Sequence, residues 1–284
     1  MRPIAVPILW LAACCLAPGC RQMVFEDRNE CPSWVTLQAA PALDTTRCNG
    51  LTFLLQREGD GSEENRVDAA RFNEGVELPF RKGEFALKGL LGWPAEWQAE
   101  DQLLIPTGQE CPESFGCRLD RGRLDGESYR FPVPVTGLSV RLYFHVQGAE
   151  SGYAFRPVVS GRIDGYEYPS FRLHEGDFHC DARPLSEQLM LCRIPRQRDE
   201  VVQADEDLRV RILIQDQATG EWMSLYDLPA GRWIDSTGYD WLAPVPEDIH
   251  LELSLADGAI VRVAVTVAGW TTLIFSTEHG DYII

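Results

Sequence analysis

The densest run of groups able to do chemistry is His174-Glu175-Gly176-Asp177-Phe178-His179-Cys180-Asp181, which mixes imidazoles, carboxylates and a thiol. Metal sites use such ligands. The spacing matches no usual ligand set, however, and the chain holds no C-x-x-C pair to complete one. The run therefore reads as an acidic loop entering a strand at Phe178, with Cys180 in a disulfide, and neither a metal nor a cofactor is expected. The chain has no G-x-S-x-G elbow, no G-x-x-x-x-G-K phosphate loop and no H-E-x-x-H zinc helix. Its 43 Asp and Glu residues must contain carboxylate pairs, but only separation in space would suit a pair to glycoside hydrolysis. No catalytic residue is assigned and no enzyme is expected. Aromatic side chains offer a different chemistry, stacking on sugars. Trp93 and Trp97 frame Pro94, and Tyr166, Tyr168 and Phe171 sit in a stretch containing Gly and Pro. Burial is the commoner use of such residues, and Trp222, Trp233, Trp241 and Trp270 read as core.

The remaining cysteines point to export. Arg2 precedes an apolar run from Ile4 to Leu16, too short for a spanning helix of roughly 20 residues but suited to a secretory signal. Ala17-Pro18-Gly19-Cys20 resembles the lipobox at which bacterial lipoproteins are cut and acylated. Leu11-Ala12-Ala13-Cys14 is the alternative; signal length favours Cys20. Cleavage there makes 1–19 the signal peptide and 20–30 a lipidated tether. It removes Arg2 and no acid, so the net charge moves from −17 to −18. That excess repels phosphate backbones and anionic headgroups, which argues against nucleic acid and leaves the lipid as the membrane contact. Beyond Cys20 lie Cys31, Cys48, Cys111, Cys117, Cys180 and Cys192, an even set suited to an oxidising compartment. Proximity suggests Cys31–Cys48, Cys111–Cys117 and Cys180–Cys192 as disulfides. The span Pro112–Gly116 can turn to bring Cα atoms to roughly 5.5 Å.

Antiparallel strands must position all of these groups. Leu138–Val146, Leu208–Ile214, Ile249–Leu255 and Ala259–Val267 alternate apolar and polar residues. This is the pattern of half-buried strands, whose side chains point to opposite faces in turn. Trp34–Gln38, Leu51–Gln56, Val76–Phe80 and Glu84–Leu91 are further strands, and Ala95–Leu104 is expected as a short helix. No long stretch carries a 3.6-residue period, which excludes a parallel α/β fold. Phe131-Pro132-Val133-Pro134-Val135-Thr136 reads as a linker between an N-terminal unit, 31–134, and a C-terminal one, 135–284.

The order of these features resembles the FimB-type fimbrial-anchor lipoproteins, the minor fimbrium subunits, of Bacteroidales. The resemblance rests on Cys20 followed by Glu26-Asp27-Arg28-Asn29-Glu30-Cys31-Pro32, and on Val76-Glu77-Leu78-Pro79 with Lys82-Gly83-Glu84-Phe85. In the second half it rests on Val210–Ile214 leading through Thr219-Gly220 to Leu225–Pro229, and on the closing strands with Gly269-Trp270. It implies an all-β fold of two tandem transthyretin-like antiparallel β-sandwich domains. It also implies a non-catalytic role, anchoring a fimbrium and limiting its length at the outer membrane, on the cell surface. The partners would be fimbrial shaft subunits, joined by strand exchange. Thr271–Ile284 is then the candidate donor, ending on Tyr282, Ile283 and Ile284 as the partner-binding residues. A glycan-binding surface lipoprotein is the alternative.

Overall fold

The computed structural model describes residues 31–48, 50–57, 64–148, 154–199, 208–215, 219–256 and 259–276. It is an all-β protein with two short α-helices among the described residues. Strand β1 (Ser33–Ala40) buries Ser33, Val35, Leu37 and Ala39 and turns the intervening residues outward, as its alternation requires. The chain continues through β2 (Thr52–Arg57) and β3 (Glu64–Asp68) to helix α1 (Ala69–Glu74). Asp68 caps that helix, accepting from the Ala70 amide at 2.9 Å, and Phe72 packs on Phe53 with ring centroids 4.8 Å apart. Strands β4 (Val76–Phe80) and β5 (Gly83–Leu91) follow.

Residues expected to be a helix instead form a single 3-10 turn, Ala95–Trp97, and two short strands, β6 (Gln98–Ala99) and β7 (Gln102–Leu104). Pairing overrides local propensity here. β7 lies against Gly165–Glu167, where a Cβ on Gly165 would stand 2.1 Å from the Leu103 carbonyl oxygen. The chain then returns to the first sheet as β8 (Phe115–Leu124) and β9 (Ser128–Gly137).

The first sheet runs β3-β2-β5-β8-β9-β1-β4. It folds over at β9, which pairs in parallel with β1 along Ser128–Pro134 and antiparallel with β8 along Val135–Gly137. One cluster, including Val35, Phe53, Phe72, Phe80, Phe85 and Val133, fills the enclosed space. The proline segment 131–136 is thus strand rather than linker. Over most of it β9 has β1 as its one partner among the described residues, so prolines facing the other edge cost no ladder bond. The passage to the second half comes at Gly137-Leu138.

The second half holds β10 (Ser139–Gln147), β11 (Phe155–Glu167), β12 (Leu173–Asp181), β13 (Arg183–Pro184), β14 (Leu189–Pro195), β15 (Arg209–Gln215) and β16 (Trp222–Leu228). Helix α2 (Ala230–Ser236) and strands β17 (Ile249–Ala256), β18 (Ala259–Val267) and β19 (Trp270–Ser276) complete it. One sheet is β13-β14-β10-β17-β18-β19; the other is β16-β15-β11-β7-β6 with β12 on β11. A second core, including Val140, Leu142, Phe144, Val159, Val210 and Trp241, lies between them.

A smaller cluster joins the halves, Leu90 of β5 meeting Leu103, Leu138, Ile163, Tyr166 and Leu173. Arg196, buried beside it, donates to four carbonyls: Gly137 at 2.7 Å, Trp241 at 3.0 Å, Ala243 at 2.5 Å and Pro244 at 3.0 Å. Arg47 of the first half bonds Glu113 at 2.8 Å, and Glu113 also receives Arg141 of β10 at 2.9 Å.

Candidate functional site

The candidate site is a sheet edge. β19 ends its sheet, paired with β18 on one side and with no strand on the other among the described residues. A β-edge presents unpaired amides and carbonyls, and proteins normally blunt it with charge, proline or brevity. The other edges here are blunted in those ways. β3 carries Glu64, Arg66 and Asp68, and β4 carries Glu77 and Pro79. β13 and β6 have two residues each, and β16 carries Asp227, held by Arg209 at 2.8 Å. β19 reads Trp-Thr-Thr-Leu-Ile-Phe-Ser, with neither charge nor proline.

The β18–β19 hairpin sets what this edge displays. Val267 faces Trp270 across a two-residue loop in which Ala268 (φ 52°) and Gly269 (φ 78°) are both left-handed. Two positive φ values define the type I′ turn, whose twist suits paired strands. Trp270 stands at the hairpin tip, past the end of the core, and is 82 % exposed. It is not the core residue its sequence context suggested. Leu273 is 42 % exposed on the same strand, while Ile274 turns inward at a register shift. Beside Trp270 opens a cavity of about 360 Å³ lined by Thr237, Tyr239, Asp240, Val267 and Thr272.

The outward face of the same sheet is polar and aromatic. Thr266 hydroxyl bonds Glu252 at 3.2 Å and Thr271 at 2.7 Å. The rings of Tyr143 and His250 stack 4.7 Å apart, and His250 Nδ1 lies 2.9 Å from His145 Nε2. Burial disfavours the charged His250 ring and the neighbouring His145 adds to it, so its pKa is lowered.

The residues singled out from the sequence fall in several places. Cys20, Tyr282, Ile283 and Ile284 lie outside the described residues. Cys31 is exposed ahead of β1, and Cys48 and Cys117 are buried in the first core. Burial pushes their thiols up, to about 11 for Cys48 and about 12 for Cys117. Cys111, Cys180 and Cys192 share the second core, with Cys180 and Cys192 sulfurs 3.2 Å apart. The fold therefore brings Cys180 to Cys192, but sends Cys111 and Cys117 to different cores.

The run 174–181, expected as a loop entering a strand at Phe178, is strand throughout, within β12, so its side chains diverge. His174 bonds Asp164 at 2.7 Å, Asp181 meets Arg156 at 3.3 Å, and Phe178 and Cys180 enter the core. Of the aromatics weighed as sugar platforms, Tyr166 and Tyr168 are buried, and Trp93 and Trp97 pack against the second core. The most exposed aromatic side chain among the described residues is Trp270; the Ala-Gly step after the alternating run 259–267 is the local signal for its turn.

No family model matches the chain, and no curated protein does. Solved structures do resemble it. A candidate polysaccharide-binding protein of Bacteroides thetaiotaomicron superposes with a TM-score of 0.60 at 11% identity, covering 88% of this chain and 99% of its own. A candidate adhesin of Bacteroides ovatus gives 0.55 at 11% identity, covering 87% and 96%. The fimbrial anchor protein Mfa2 of Porphyromonas gingivalis gives a weaker 0.49, also at 11% identity, covering 87% and 100%. At these identities the first two likenesses show a shared fold.

Proposed function

We propose that this protein is a non-catalytic, lipid-anchored subunit of a fimbrium, tethered to the outer membrane through Cys20 and holding shaft subunits through its C-terminal sheet edge. The observation that carries the reading is β19, a seven-residue edge strand without charge or proline. Backbone groups left unpaired on such an edge are satisfied by a strand from another chain, and Leu273 offers that strand a side-chain contact. Tyr282, Ile283 and Ile284 extend the same contact in this reading, as apolar residues that follow the strand in sequence. The two halves act as tandem sandwich domains divided near Gly137, with β6, β7 and Cys111 of the first half built into the second sandwich. Tethering at one end and strand pairing at the other make the protein an anchor, and a membrane-held subunit that ends the fibre limits its length. The fold it shares with candidate adhesins, and the lipobox-like N-terminus, support this placement.

The test is recovery of fimbrial subunits with the detergent-solubilised protein. Leu273→Lys and deletion of 280–284 should each reduce recovery several-fold with the melting temperature unchanged, and Cys20→Ser should release the protein from the membrane fraction. Full recovery with both edge variants sinks the strand-pairing role.

A glycan-binding reading rests on Trp270 beside its cavity, where a sugar could stack on the indole and bond Asp240. Glycan-array binding abolished by Trp270→Ala would favour it; an array with no bound sugar removes it.

A further inference from the structure

We infer that Cys180 and Cys192 form a disulfide that ties the two sheets of the second half together, while Cys111 beside them stays a thiol. β12 belongs to the sheet built on β11, with Cys180 opposite Val159. β14 belongs to the facing sheet, with Cys192 opposite Leu142. A bond between them crosses the sandwich rather than running along one layer. Their sulfurs lie 3.2 Å apart, and a shift of about 1 Å closes that gap to the ~2.05 Å of an S–S bond. Among the described residues, each sulfur has besides the other one hydrogen-bond contact, to the carbonyl of the residue that follows it, Asp181 or Arg193.

Cys111 is in the same core but differently directed. Its amide donates to the Arg193 carbonyl at 2.9 Å, which ties it to β14. Its sulfur faces the carbonyls of Leu138 and Pro112, each at 3.7 Å. Proximity in sequence favours Cys111–Cys117, but those two occupy separate cores. Among the three cysteines of the second core, geometry selects one pair and leaves a neighbour that can compete with it during folding.

Timing follows from burial. All three side chains are at most 1 % exposed. Attack on a disulfide needs a thiolate, and burial raises the Cys192 pKa well above the ordinary thiol range. The bond therefore forms while the sheets are still open and is sealed when they close. In that step the two thiols lose two protons and two electrons to a disulfide oxidant, which leaves as two thiols. This inference does not depend on the fimbrial role.

The test uses the full chain, reduced and unfolded, then refolded with glutathione disulfide as oxidant, alkylated and mapped without reduction. The expected result is a linked Cys180–Cys192 peptide and alkylated Cys111, with the link retained in Cys111→Ala. Adding reductant should lower the melting temperature of the oxidised protein by about 5–10 °C. It should not change that of the Cys180→Ala/Cys192→Ala double variant. Alkylation of both Cys180 and Cys192, or a linked peptide containing Cys111, overturns the inference; so does loss of the link in a folded Cys111→Ala.

Discussion

The two halves share a three-strand motif and part company at its end. In the first, β1 lies between antiparallel β4 and parallel β9; in the second, β10 lies between antiparallel β14 and parallel β17. β9 then turns onto β8 and carries its sheet around the core, so the edges left are the charged β3 and the proline-bearing β4. β17 instead continues through β18 to β19 and stops at an uncharged edge. The motif sets the core, while the strand after it decides whether the sheet closes or ends in an open edge.

The strongest way to break this contrast is to cut what couples the halves. Arg196→Met leaves four carbonyls without their donor and should cost about 3–5 kcal/mol, read from the urea midpoint. A loss confined to one half would mean the junction does not couple them. Phe72→Ala should cost a similar 3–5 kcal/mol, but by opening a cavity in the first core alone. Fluorescence of Trp241, buried in the second core, then reports whether the halves unfold separately or as one.

A third, smaller effect is one of pH. His250 lies on β17 of the second half, so its titration acts there. The folded pKa of His250 is below its unfolded value near 6.5, so the unfolded chain takes up protons first as pH falls. Stability is full above that value and declines as pH drops through it. Melting curves from pH 7.5 to 5 should show this decline, and His250→Phe should flatten it; an unchanged profile would place the acid sensitivity elsewhere. The smallest effect concerns the hairpin. Ala268 pays for a left-handed conformation that glycine adopts freely, so Ala268→Gly should raise stability by about 0.5–1 kcal/mol by urea titration. A loss of stability would mean the turn is not the strained element it is taken to be.

Much of the strand framework was legible locally. Val76–Phe80 and Ala259–Val267 are strands over the residues expected, and β1, β2, β5, β10, β15 and β17 differ from their expected spans by a few residues. The period of two comes from the pleat, which a strand carries in its own sequence. β11 hides it, because two register shifts break the alternation and the strand has partners on both sides. β14 hides it by burying consecutive residues, Met190-Leu191-Cys192. β9 hides it behind prolines that a one-sided pairing tolerates.

The candidate site divides along the same line. That Trp270–Ser276 carries no charge and no proline is a property of the sequence, as is the presence of six cysteines beyond Cys20. That β19 is an outer strand, that Trp270 projects past the core, and that Cys180 meets Cys192 while Cys111 and Cys117 part are matters of tertiary structure. The reason is physical: side-chain alternation is set by neighbours along the chain, whereas edges and thiol encounters are set by which distant strands close each sheet around its core.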